Sequence, residues 1–322
     1  MNLFLRSLLL FAATLLGGPA WSQEVYPNKP ITWIVPNPAG GGADAAVRSI
    51  ASVLSTKLGQ QLVIDNRPGA GTMIGAGAAA RSKPDGYTLL TGDVSTFATN
   101  GHLFKTAPYN ALKDFTFVSL TSRYPLLLVA KQSLPANNLK ELIGYAKANP
   151  GKLNFGTAGQ GVPHHFALEL FMEQTGTRFV HVPFRGSLAA LQELLSGQVD
   201  LMFLDVASGH QFIQDQRLKV FGVASAHRFE RLPEIPTLEE AGLKFEFNLW
   251  QGVAVPAGTP DEIVTRLSRE FDKTLKDPGL RAKLLQIGAE PLTSTPEEFA
   301  RYVRDESERW GKLIAQKQIK LE

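Results

Sequence analysis

Short apolar runs alternate with segments of helical period along most of this chain, and that alternation leaves few folds open. "ITWIVP" leads into "ADAAVRSIASVLSTKLG", and "QLVIDN" precedes "GTMIGAGAAARS" with "YTLLTG" after it. Farther on, "PLLLVA" precedes "NLKELIGYAKANP", "KLNFGT" precedes "PHHFALELFMEQTG", and "FVHVPF" precedes "SLAALQELLSGQ". "VDLMFLDV", "ASGHQFIQDQ" and "LKVFGVAS" close the series. Apolar runs of strand length separated by amphipathic helices read as βαβ units, which build mainly parallel sheets with helices packed on them. The fold class is therefore α/β.

Two stretches break the rhythm. "FTFVSLTSRYPLLLVAKQSLP" joins two strand-like pieces with no helix between them, and "FEFNLWQGVAVPAGTP" (Phe245 to Pro260) does the same on the way back. Only helical patterns follow. A chain that leaves one sheet, builds a second and returns makes a discontinuous domain 1 (23–122 and 248–322) around an inserted domain 2 (123–247). The two crossings, near 120–126 and 245–250, predict a hinge, and ligands of such proteins sit in the cleft between lobes.

The first 22 residues are set apart. Arg6, an apolar run from Leu8 to Leu16, and small residues at Ala20 and Ser22 form a cleavable export signal, with the mature chain starting at Gln23. That places the protein in the periplasm, not embedded in a membrane. With no cysteine anywhere, thiol chemistry and cysteine-ligated metals are excluded. Arg6 belongs to the leader, so the mature chain carries 32 Lys and Arg against 30 acids, with no basic run. Nucleic acid is not an expected partner.

The chemistry gathers in loops. "VPNPAGGGAD" runs from Val35 to Asp44, a strand, three glycines and a helix start. Gly40, Gly41 and Gly42 permit a close backbone approach, and the open helix N-terminus carries free N–H groups and a positive dipole end suited to an anion. Asn37, Ala39, Ala43 and Asp44 share the loop as candidate ligand contacts. The alternative is a mobile loop in which Asp44 only caps its own helix. "NFGTAGQGVPHH" repeats the arrangement in the other half through Thr157, Ala158, Gly159, Gln160 and Gly161. Both loops follow strand C-terminal ends, where open α/β sheets bind ligands.

Neither loop carries the Gly-Lys-Ser/Thr of a nucleotide phosphate loop. "GAGTMIGAG" (Gly69 to Gly77) misses the dinucleotide spacing by one residue and reads as a turn plus a small-residue helix, with Gly71 and Thr72 as further lining candidates. There is no G-x-S-x-G elbow and no H-E-x-x-H, and no acid/base pair can be nominated. Asp93 and Asp205 each follow a strand, where a lone carboxylate orients a loop or contacts a ligand. Arg185, in "VPFRGS", reads equally as a partner for a second carboxylate or as a solvated cation. His164 reads as a hydrogen-bonding residue at a helix start, and Trp250 as a core or cleft-wall aromatic.

Together these pieces resemble the Bug family of periplasmic substrate-binding receptors linked to tripartite tricarboxylate transporters. The matching segments, in order, are "YPNKPITWIVPNPAGGGAD", "NRPGAGTMIGAGAAARSKPDGYTLL", "YNALKDFTFVSL", "NFGTAGQGVPHHFALELF", "VPFRGSLAALQELLSGQVDLMF", "RLKVFGVASAHRFERLPEIPTLEEAG" and "WQGVAVPAGTP". The resemblance implies a two-lobe type II flytrap, monomeric and without cofactor. It implies a non-enzymatic receptor that holds a small carboxylate on the backbone N–H groups of its two glycine loops and hands it to membrane transporter subunits. A module presenting its ligand to a membrane sensor is the other expectation. Asn37 stands where the family commonly has an aromatic, and Val162 where it commonly has Ser or Thr, so the ligand is expected to differ from the family's usual dicarboxylate.

Overall fold

The computed structural model describes residues 26–319 and Leu321. The leader read over residues 1–22 lies outside the described residues.

The chain opens with β1 (Ile31–Val35), buried on both faces as inner strands of parallel sheets are, and then α1 (Gly42–Leu58). Ala46, Val47, Ile50, Leu54 and Leu58 form the buried stripe of α1, which stops at Gly59 in the left-handed conformation (φ +68°). Next come β2 (Leu62–Asn66), a tight turn at Ala70–Thr72, α2 (Met73–Ala80) and β3 (Thr88–Asp93). A π-helical turn (Val94–Thr99) runs into α3 (Asn100–Leu103), followed by α4 (Ala111–Asp114). Strand β4 (Phe115–Lys131) carries the chain into the second half, built from α5 (Leu139–Ala148), β5 (Asn154–Thr157), α6 (Pro163–Thr175), β6 (Val180–Pro183) and α7 (Ser187–Ser196). That half continues through β7 (Leu201–Asp205), α8 (Val206–Gln214) and β8 (Leu218–Val223). The chain returns along β9 (Asn248–Pro256) and finishes with α9 (Asp261–Leu275), α10 (Pro278–Gln286), the two-residue β10 (Glu290–Pro291) and α11 (Pro296–Gln316).

The strands lie in the order β2-β1-β3-β9-β4-β7-β5-β6, with β8 and β10 also paired to β4. The outer trios β2-β1-β3 and β6-β5-β7 are parallel, whereas β9 and β4 insert between them with antiparallel pairing. The fold is thus two-lobed α/β, with a sheet in each lobe and one strand common to both. The two apolar pieces read around residues 115–131 are a single 17-residue strand. Its Phe115–Pro125 stretch pairs with β9, and its Leu126–Lys131 stretch with β7 and β8, so the chain passes between lobes without leaving its own strand.

Packing ties the terminal helices in. Phe271 of α9 meets Trp33 edge-on at 5.4 Å, closing a core over the outer face of the first sheet. On α11, Phe299 contacts Phe97 and Phe117 in the first half, while Trp310 stacks on Phe166 of α6 at 5.7 Å. The last helix therefore buries apolar surface against both halves, a contact that its periodicity alone does not reveal.

Candidate functional site

Where β1 ends, the glycine loop is held from below by Asp44. This buried carboxylate accepts hydrogen bonds from the Gly40 N–H (2.9 Å), Arg48 Nε (2.8 Å) and Asn66 Nδ2 (2.9 Å). Burial pushes its carboxyl up, but these bonds outweigh burial and hold it below the ordinary carboxylate value. Gly40 adopts φ +81°, a conformation glycine reaches without strain. Helix α1 then begins with no side-chain cap, leaving the first N–H groups, around Gly42 and Ala43, to face a cavity.

Two more helices open on the same cavity. Helix α6 starts at Pro163 after Val162, and α8 starts after Asp205; neither receives a side-chain cap. Helices α4, α5, α10 and α11 are capped by Asn110, Asn138, Asp277 and Thr295, and none of those caps lines the cavity. Three uncapped N-termini pointed at one space leave their N–H groups for a ligand, and each carries roughly half an elementary positive charge.

The cavity holds about 400 Å³. The first half supplies Gly42, Ala43, Asp93 and Ser95, and the second supplies Ala158, Val162, His164, Asp205 and Ser208. Tyr124, Leu249, Trp250 and Gln251, from the adjoining strands β4 and β9, form its floor. Among the described residues the lining contains no Lys or Arg, so helix ends are what balance an anion here.

The structure brings together Gly42, Ala43, Asp93, Ala158 and Asp205 of the residues picked from sequence. Asn37, Ala39, Gly40, Gly41 and Asp44 shape the first loop without lining the cavity, and Asn37 accepts a bond from Asn66 through its carbonyl. In the second loop Thr157 is fully buried, its hydroxyl 2.6 Å from His181 Nε2 and donating to the Gly159 carbonyl. Gly159, Gln160 and Gly161 lie behind the lining, and the Gly161 N–H donates to His165 Nδ1. Arg185 is exposed and outside the cavity. Gly71 and Thr72 are also outside it, with Thr72 bonded to Thr96 and Asn100.

Tyr124 and Gln251 escaped sequence reasoning because their meeting depends on β4 pairing with β9, 127 positions away. The available signal was the alternation in "LWQGV", which turns Gln251 to the face opposite Trp250. The Tyr124 hydroxyl donates to Gln251 Oε1 at 2.8 Å, and burial pushes this phenol up to about 12, so it stays a donor.

The two carboxylates differ in environment. Burial raises Asp93 above the ordinary carboxylate value, only partly offset by bonds from the Thr96 N–H (2.8 Å) and hydroxyl (2.9 Å). Burial acts on Asp205 in the same direction, but nearby His164 and Ser187 more than compensate and its value falls. His164 Nε2 lies 3.5 Å from Asp205 Oδ1 and 3.3 Å from Ser187 Oγ. Both contacts fall on one ring nitrogen, whereas a Ser-His-Asp relay uses the two nitrogens separately. These groups orient one another and the start of α8.

Residues 46–319 match the model of the tripartite tricarboxylate transporter family receptor. The chain is 33% identical to Protein BugT of Bordetella pertussis over 323 residues, covering 100% of this chain and 99% of that one. An R. palustris protein solved with adipate is 35% identical with a TM-score of 0.79, covering 92% of this chain and 99% of its own. MatC from Rhodopseudomonas palustris, solved with bound malate, is 32% identical with a TM-score of 0.73, covering 90% and 100%. By sequence along its whole length and by fold, the chain belongs to the receptors of the tripartite tricarboxylate transporter family.

Proposed function

We propose that this protein is an exported receptor that binds a small organic carboxylate between its lobes and delivers it to the membrane subunits of a tripartite tricarboxylate-type transporter. The observation that carries the reading is the convergence of three uncapped helix N-termini, those of α1, α6 and α8, on one cavity without a lining cation. A carboxylate accepts several N–H groups at once and gains from the dipole ends. Relatives solved with adipate and malate support the same ligand class. Family membership favours delivery to a transporter over presentation to a sensor.

The reading includes a periplasmic location through the leader at residues 1–22 and a monomeric state. It includes a hinge at 120–126 and 245–250 between domain 1 (23–122 and 248–322) and domain 2 (123–247). The ligand touches both lobes only when they approach, so it stabilises the closed state by the contacts that state alone provides.

Thermal unfolding of the mature chain, stripped of ligand by unfolding and refolding, tests the reading. A panel of mono-, di- and tricarboxylates should include one that raises the midpoint, since ligand at about a hundred times Kd adds roughly 2.7 kcal/mol. No shift with any acid, alongside a shift with an uncharged solute, would overturn it.

A further inference from the structure

The floor of the cavity holds a donor with nothing to bond. Gln251 is 6% exposed, lines the cavity, and uses its Oε1 to accept from Tyr124. Tyr124 in turn accepts from the Ser122 hydroxyl at 3.3 Å, which fixes the direction of the chain: Ser122 to Tyr124 to Gln251. The amide is thereby oriented with Nε2 free, and among the described residues no protein group accepts from it. The amide N–H₂ is open to the cavity, where a ligand or water is left to accept from it.

Beside it stands an acceptor. Gln251 and Asp93 are direct partners across β9 and β3, so their side chains leave the sheet on the same face, with Cβ atoms roughly 5 Å apart. Apart from Thr96, no side chain bonds the Asp93 carboxyl among the described residues. The other polar groups of the lining are Ser95, His164, Asp205, Ser208 and the Tyr124 hydroxyl, the last already engaged. Donor and acceptor thus sit side by side where β3 and β9 meet the cavity.

We infer that Asp93 and Gln251 form a second subsite, selecting a ligand whose far end both donates and accepts a hydrogen bond, a hydroxyl or a carboxamide. This rests on the carboxylate reading, in which the near end occupies the helix N-termini. A second carboxylate has no proton for Asp93 and meets its charge. An ammonium satisfies Asp93 but leaves Gln251 Nε2 without an acceptor. A methyl end leaves both unpaired, the kind of loss by which polar sites reject apolar analogues.

Titration calorimetry on the refolded mature chain can read this directly. The probes are butyrate, γ-hydroxybutyrate, succinamate, succinate and γ-aminobutyrate, with their six-carbon counterparts to span the cavity. The hydroxy acid or the amide acid should bind at least about tenfold tighter than the other three of its length. In Gln251→Leu that preference over the alkyl acid should fall to within about twofold, because the hydroxy or amide acid loses its donor and the alkyl acid no longer strands one. Tyr124→Phe, which frees the amide to rotate, should show the same loss in weaker form. Tightest binding of the dicarboxylate or the amino acid, or undiminished preference in a folded Gln251→Leu, would overturn the inference and leave the carboxylate reading standing. Failure of every carboxylate to bind would overturn both.

Discussion

Gly92 and Gly252 stand directly opposite each other on β3 and β9, and each makes room for a phenyl ring. A Cβ on Gly92 would lie 2.1 Å from Phe97 Cε2, and one on Gly252 would lie 2.1 Å from Phe299 Cζ. Both rings are buried, and they meet at 6.1 Å. Asp93 and Gln251 follow and precede these glycines on the same strands, facing the other side of the sheet. The aromatic core thus presses against the underside of the floor that carries the subsite.

Gly252→Ala tests that relationship. An added methyl ordinarily helps a strand slightly, but here it forces a buried ring out of its place, at a net cost of about 1–3 kcal/mol. Urea unfolding monitored by circular dichroism should show a lower midpoint with an unchanged slope. A midpoint equal to the wild type would mean that Phe299 has somewhere else to go.

Glu306 on α11 holds two indoles at once. One carboxylate oxygen accepts from Trp250 Nε1 at 3.1 Å and from Trp310 Nε1 at 2.9 Å, and all three residues are buried. Glu306→Leu strands two buried donors and should cost roughly 2–5 kcal/mol, whereas Glu306→Gln keeps an acceptor and should cost less. Thermal unfolding of the pair decides this. Equal midpoints would mean that the acceptor contributes nothing.

Asp44 is the anchor of the first glycine loop, and Arg48 is its half-exposed partner. Asp44→Ala releases the Gly40 N–H and Asn66 together, and should lower stability by about 2–3 kcal/mol. Ligand affinity should fall about tenfold as the loop before α1 loosens. Arg48→Ala should cost less than about 1 kcal/mol, because the lost guanidinium is half-exposed and Asp44 keeps its bonds from Gly40 and Asn66. If the two variants were equally impaired, the ion pair and not the loop anchor would be what matters.

The cavity carboxylates should pull stability in opposite directions with pH. Asp205 has its folded value below the ordinary 3.8, so its stabilisation is present above that value and is lost as acid protonates it. Asp93 has its folded value raised above 3.8, so the folded state keeps its proton longer and stability declines as pH rises from 3.8 through the raised value. Asp205→Asn should therefore lower stability near neutral pH, and Asp93→Asn should raise it. Urea midpoints measured from about pH 3 to 7 separate the two. Parallel pH profiles for both variants would contradict the assignment.

Much of this molecule is local in origin. Alternating apolar runs and helix-period segments carry the α/β class, because each element buries its own face at its own period. Glycines after β1 and β5 announce loops, since Gly40 at φ +81° and Gly161 at φ +69° need residues without a side chain. Local reasoning does not reach a side chain's surroundings. Thr157 offers a hydroxyl in the second glycine loop, and His181, from the neighbouring strand β6, contacts it.

The sequence by itself determined most of the strand and helix segments, because propensity and periodicity act over a few residues. Only the tertiary structure decided that α1, α6 and α8 start at the same cavity and that Tyr124 orients Gln251 from 127 positions away. It also decided that Trp310 of the last helix packs on Phe166 of the opposite half. Those juxtapositions depend on strand order and register, which are set by burying all the apolar faces together and leave no mark at any single position.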